Sequence, residues 1–74
     1  MNKRSAEELV KKANKGCFIL KAYSGRLGDD DVFAFVISNG GPANQFVVVY
    51  PDETVSGVDG PMAAMVANSL KEVR

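Results

Sequence analysis

The spacing of apolar residues changes along this chain, and each change marks a different predicted element. Apolar residues first recur three and four positions apart, as on one face of a helix, at Ala6, Leu9, Val10 and Ala13. Ser5 and Glu8 have the spacing of a capping box at the start of this segment, and Gly16 suits a left-handed cap after its end. The pattern predicts a first helix over residues 5–15.

Three segments then alternate between apolar and polar positions or are apolar throughout, which is typical of β-strands. They are residues 17–23, 32–38 and 45–50. The connection over residues 24–30 contains two glycines and predicts a hairpin with more than two loop residues, and residues 39–44 predict a second turn. Residues 54–58 are expected to form a short edge strand or a loop.

A second helix is predicted to begin near Asp59, because Gly60 and Pro61 after it suit a first helical turn. We expect one face of it to contain Met62, Met65, Val66, Ser69, Leu70 and Val73. The resulting order, α-β-β-β-α, predicts one α+β domain over residues 1–74. Its expected architecture is a three-stranded antiparallel meander with two helices packed on one face.

The predicted core combines the inward positions of these elements: Leu9, Val10, Phe18, Leu20, Phe33, Phe35, Val66 and Leu70. With both helices on one face, the other face of the sheet still contains apolar residues, among them Ile19, Tyr23 and Val36. An exposed apolar patch of this kind usually marks a protein interface. The alternative is that the second helix and residues 51–60 cover that face.

Charge is distributed unevenly although nine basic and nine acidic residues cancel. Residues 1–26 contain seven basic and two acidic side chains, and residues 27–74 contain two basic and seven acidic ones. We therefore expect a basic surface on the first helix and an acidic surface on the loops. Such asymmetry bears on partners and association rates rather than on fold.

Catalytic chemistry has few candidate groups in this chain. It has no histidine, which excludes histidine-based triads and histidine acid–base catalysis. The one cysteine, Cys17, precedes an apolar strand and suits a buried structural thiol better than a nucleophile. The adjacent Asp29, Asp30 and Asp31 lack the alternate spacing of a calcium loop, so a solvated loop is favoured over a metal site. We expect no enzyme activity, no cofactor and no metal.

The chain of 74 residues is long enough for a single small core. No apolar signal segment follows Met1, and the longest uncharged stretches are interrupted by turn residues, so neither a signal peptide nor a membrane span is predicted. One unpaired thiol agrees with a reducing compartment. The expected location is the cytoplasm.

Nucleic-acid binding is a second hypothesis, and it depends on the basic residues of the first helix: Lys3, Arg4, Lys11, Lys12 and Lys15. The loop Gly41-Pro42-Ala43-Asn44 and the element order resemble the double-stranded RNA-binding domain and its Gly-Pro-x-His loop. In that family the second helix opens with lysines that contact phosphates. Here Asn44 stands in place of the histidine, and the second helix opens with Gly60-Pro61-Met62.

The favoured hypothesis is a non-enzymatic regulator that binds and inhibits or modulates a larger protein or nucleoprotein complex, in the manner of small phage or mobile-element proteins. The predicted contact residues are Ile19, Tyr23, Asp29, Asp30, Asp31, Val36, Asp52 and Glu53. The acidic ones suit a basic cleft on the target, and the apolar ones suit its hydrophobic surface. A homodimer through the sheet is the third hypothesis.

Overall fold

The fold was established from a computed structural model that describes residues 2–73. Its elements are α1 (Lys3–Ala13), β1 (Phe18–Leu27), β2 (Asp30–Ser38), β3 (Gln45–Val49), β4 (Val55–Val58), α2 (Gly60–Ser69) and β5 (Lys71–Val73). The five strands form one antiparallel sheet in the order β4-β3-β2-β1-β5. The α+β class is therefore confirmed, and the predicted three-strand meander is the centre of a wider sheet.

The helices lie on opposite faces of the sheet, so the prediction that both pack on one face is wrong. Between α1 and one face of the sheet lies a core to which the helix contributes Ala6 and Val10. Its other members are Cys17, Ala22, Phe35, Ile37, Val47 and Val49. Under α2 lies a second core of Val32, Ala34, Phe46, Val48 and Leu70. Because neighbouring residues of β2 and β3 point to opposite faces and both sets are apolar, each face requires its own helix.

The β1–β2 hairpin is tighter and longer than the sequence predicted. Leu27 pairs with Asp30, so only Gly28 and Asp29 form the loop. Gly28 has a φ of +61° and Asp29 does not have a positive φ, a combination that fits a type II′ turn with glycine at its first central position. The polar residues before this turn were assigned to a loop, but cross-strand pairing keeps them in β1.

Helix α1 begins and ends two residues earlier than predicted, over Lys3–Ala13. Its N-cap is Asn2, whose side-chain oxygen accepts a hydrogen bond from the Ser5 backbone N–H at 2.8 Å. Ser5 is thus inside the first turn and is not the cap. Gly16 does have the expected left-handed conformation, with a φ of +82°.

Helix α2 begins as predicted, with Asp59 as N-cap and Pro61 in the first turn. It ends at Ser69, and the chain then forms β5, which the sequence analysis had placed in the helix. The residues that pack on the sheet are Ala63, Val66, Ala67 and Leu70. Met62 and Met65, assigned to the inward face, are 58% and 63% exposed.

The predicted core is correct in part. Val10, Phe35 and Leu70 are buried, and Leu9, Phe33 and Val66 pack against the two cores while remaining partly exposed. The assignment of Phe18 and Leu20 to the core is wrong, because their side chains are 67% and 52% exposed. Phe18 begins β1 at the end of the sheet, and Leu20 lies in a register shift that interrupts the alternation of inward and outward residues.

Candidate protein-binding site

The predicted acidic residues lie at one end of the sheet. Successive turns of an antiparallel meander alternate between its two ends, so the β1–β2 hairpin and the β3–β4 turn lie at the same end. These turns and the start of β2 contain Asp29, Asp30, Asp31, Asp52 and Glu53, all exposed. We call this group the acidic end.

The β3–β4 turn is closed by its own backbone. The Tyr50 N–H donates to the Thr54 carbonyl, and the Glu53 N–H donates to the Tyr50 carbonyl, each at 2.9 Å. Glu53 has a φ of +70°, which is uncommon for a residue with a side chain. The turn therefore holds the backbone of Asp52 and Glu53 in a defined conformation.

Asp52 is the acid of this turn whose carboxylate accepts a hydrogen bond. Its Oδ1 accepts a hydrogen bond from the Thr54 backbone N–H at 3.0 Å. Hydrogen bonding from Thr54, first from its side chain and then from its backbone, lowers the pKa of Asp52. These bonds favour the charged form, so the carboxylate stays ionised at neutral pH.

One basic residue of β1 faces the acidic end. The Arg26 Nε lies 3.5 Å from Oδ1 of its cross-strand neighbour Asp31. Both side chains are largely exposed, and an ion pair in water contributes little to stability. The pair leaves Asp31 accessible to a competing cation from a partner.

A shallow concavity of about 450 Å³ lies beside these acids. Its lining consists of Ser24, Gly25, Asp31, Val32, Phe33 and Pro51. Asp31 thus lies beside the apolar residues Phe33 and Pro51 in this lining. A lysine or arginine side chain suits such a surface, because its aliphatic part packs on apolar groups while its charge meets the acid.

The apolar members of the predicted site do not form one surface. Ile19 packs against the core under α1, whereas Tyr23 and Val36 pack against the core under α2. All three are half-buried, and the Tyr23 ring lies 5.9 Å from that of Phe46. The bare sheet face expected from the sequence does not occur among residues 2–73, because α2 occupies it.

The predicted basic residues lie on α1 and in the segment that follows it. Lys3 forms an ion pair with Glu7 at 3.8 Å, and Lys11, Lys12 and Lys15 are exposed. Lys15 precedes β1, which starts at the end of the sheet opposite the acidic end. The start of β1 lies about 30 Å from its hairpin at ~3.3 Å per residue.

Two exposed apolar residues near these lysines were missed by the sequence analysis. Phe18 follows Lys15 by three residues, and Leu20 precedes Lys21. The lysines on both sides were a usable signal of exposure. The register shift at Leu20 could not be recognised from the sequence, because a β-bulge has no reliable pattern in a single sequence.

No group of three or more histidine, cysteine, aspartate or glutamate residues within residues 2–73 is arranged to hold a metal ion. In the same part of the chain, neither helix has the length and apolar character needed to cross a membrane.

No protein-family model matches this chain, and comparisons with curated proteins and with solved structures give no significant match. The observed order, α-β-β-β-β-α-β, differs from the α-β-β-β-α order that the resemblance to the double-stranded RNA-binding domain implied. Function must therefore be argued from the surface of the molecule.

Proposed function

We propose that this protein is a non-enzymatic regulator that binds a basic surface of a larger protein through its acidic end. The observation that carries the proposal is the position of five carboxylates in neighbouring turns at one end of the sheet, beside a concavity lined in part by Asp31. Basic clefts on proteins commonly serve to bind nucleic acid. Occupying such a cleft inhibits or redirects the target.

The two parts of the acidic end have different roles in this binding. The exposed carboxylates accelerate encounter with a basic partner, because complementary charge mainly raises the association rate. The concavity supplies apolar contact for one or two basic side chains, which slows dissociation. Both turns are short and internally bonded, so little ordering is required on binding.

The proposal is tested by affinity capture from a lysate of the source organism with three forms of the protein. The first is wild type, the second has Asp29→Asn, Asp30→Asn and Asp31→Asn, and the third has Lys11→Gln, Lys12→Gln and Lys15→Gln. The two variants change net charge by the same amount in opposite directions. A partner bound by wild type and the lysine variant, and lost from the aspartate variant, supports the proposal.

Association and dissociation rates measured with the purified protein and its captured partner then test how the acids act. Neutralising the three aspartates is expected to slow association about tenfold or more at low salt and to change dissociation less. Raising the salt concentration should slow wild-type association in the same way. Capture that is unaffected by the aspartate substitutions contradicts the proposal.

Nucleic-acid binding by α1 is the second candidate, favoured by the exposure of Phe18 close to Lys15. An aromatic ring beside basic residues suits base stacking with phosphate contacts. In a mobility-shift assay the Lys11, Lys12 and Lys15 variant should then bind more weakly, with a salt dependence flatter by up to about three units of slope. Phe18→Ala should weaken binding without changing the slope. Binding only at non-specific levels at physiological salt eliminates this candidate.

A further inference from the structure

The outer edges of the sheet differ in how they are protected against strand addition. Natural edge strands are usually blocked by charge, proline or a bulge. On one side, β5 contains Lys71 and Glu72, and the part of β1 that no strand of residues 2–73 pairs on this side contains a register shift and Lys21. These features protect that side of the sheet.

The other edge, β4, has no charge, proline or bulge, and only its short length of four residues limits strand addition. It consists of Val55, Ser56, Gly57 and Val58, without charge or proline, and it pairs with β3 in regular register. Within residues 2–73 no strand pairs with its outer side. Alternate backbone N–H and C=O groups of β4 therefore point away from the sheet without a strand partner.

Charged residues at both ends of β4 disfavour pairing with a second copy. Asp52 and Glu53 precede the strand, and Asp59 follows it. In an antiparallel pair of two β4 strands centred on Ser56, the outward-pointing Val55 of one copy lies opposite Gly57 of the other, and Glu53 lies opposite Asp59. The acids before one strand then approach the acid after the other at both ends, and like charges across a strand pair are unfavourable.

We propose that β4 binds an extended peptide segment of the partner protein as an added strand. The segment has about four small or β-branched residues and lysine or arginine at both ends. Acids lie at both ends of β4, so basic flanks are favourable in either strand direction. Backbone hydrogen bonds provide the contact common to strand-addition complexes, and the flanking charges select the segment. This inference rests on the proposed function in that the same basic partner supplies the segment.

The test uses a synthetic peptide, acetylated and amidated, of sequence Lys-Lys-Thr-Val-Thr-Val-Lys-Lys. Its addition to the isotope-labelled protein should shift the backbone amide resonances of residues 55–58 most and slow hydrogen exchange of those that point outward. A peptide with glutamate in place of lysine should bind at least about tenfold more weakly. A peptide N-methylated at all four central residues lacks the backbone donors of both edges at unchanged charge, so it should lose binding if backbone pairing is required.

Protein variants provide the matched controls. A Cβ at Gly57 would have only the Gln45 side-chain nitrogen nearby, at 3.9 Å, so Gly57→Ala and Gly57→Lys both fit. Gly57→Ala should retain peptide binding, and Gly57→Lys should weaken it several-fold. Asp52→Asn with Glu53→Gln and Asp59→Asn should weaken it roughly tenfold, because each exposed charge pair is worth a few-fold at most.

The results separate this inference from the proposed function. Asp29→Asn with Asp30→Asn and Asp31→Asn should leave peptide binding within about twofold while reducing capture of the natural partner. Undiminished binding of the N-methylated peptide, shifts centred on the β1–β2 hairpin, or no binding at millimolar peptide overturns strand addition at β4. None of these results contradicts binding through the acidic end.

Discussion

The two faces of the sheet are covered by helices of nearly equal length but to different degrees. Helix α1 has 11 residues and completely buries Ala6 and Val10, whereas α2 has 10 residues and none of them is fully buried. The tightest contact near α2 is made by Leu70, the residue after it, which is 8% exposed. Covering a face and contributing strongly to its core are therefore separate properties of a helix.

The difference follows from side-chain size and capping. The side chains that α2 presents to the sheet are small at two positions, Ala63 and Ala67, and its two methionines are exposed. Asp59 makes no side-chain hydrogen bond as the N-cap of α2, whereas Asn2 makes one for α1. We expect the α1 face to dominate stability and the α2 face to open first.

The largest effect should come from the core under α1. Phe35→Ala removes a fully buried ring and should lower the free energy of unfolding by about 3–5 kcal/mol, much of the stability of a small domain. Leu20→Ala should cost less than about 1 kcal/mol, because that side chain is 52% exposed. Urea denaturation measures both values. Equal losses would show that Leu20 is buried and that its assignment to the bulge is wrong.

The α2 face has one position where crowding matters. A Cβ at Gly25 would lie 2.8 Å from Leu70 Cδ2 and 3.4 Å from Leu70 Cα, and Gly25 has a φ of +156°. Gly25→Ala should therefore destabilise the protein by about 1–3 kcal/mol. Adding Leu70→Ala removes the closest atom, so the double variant should lose less than the sum of the single losses. Strict additivity would place Leu70 away from β1.

A matched pair of substitutions compares the helices directly. Val10→Ala removes two fully buried methyl groups and should cost about 2 kcal/mol, and Val66→Ala should cost about 1 kcal/mol, because Val66 is only partly buried. Thermal or urea melts of both variants give the two values. A larger loss for Val66→Ala would reverse the comparison between the faces.

Elements with strong local patterns were the ones predictable from sequence. The periodicity of α1, the alternation of β2 and the proline at the start of α2 each located an element within about two residues. Strand β5 has only three residues, which is too short for any period to be recognised. Its existence depends on pairing with β1, a contact distant in sequence.

The opposite placement of the helices was signalled but misinterpreted. Apolar residues on both faces of β2 and β3 favoured an interface, and the structure instead agrees with the alternative that the second helix covers that face. The same error affected the candidate site. The acids of the turns are exposed, as loop residues usually are, whereas Ile19, Tyr23 and Val36 are half-buried under different helices.

The smallest effect concerns pH and the turn that borders α1, where Pro51 and Glu53 share a small concavity with Leu9. Hydrogen bonding from Thr54 lowers the pKa of Asp52 in the folded protein. Its contribution to stability is therefore complete above the unfolded-state pKa, near 4, and is lost as pH falls through the lower folded value. Asp52→Asn keeps an acceptor for Thr54 but does not titrate, so its unfolding free energy should fall less than that of wild type between about pH 5 and pH 2. Between neutral and acid pH, amide protection factors, which are corrected for the intrinsic pH dependence of exchange, should fall most at the turn and at the adjoining part of α1, and much less at α2. Identical acid dependence of the two proteins would show that the Asp52 carboxylate does not stabilise the turn.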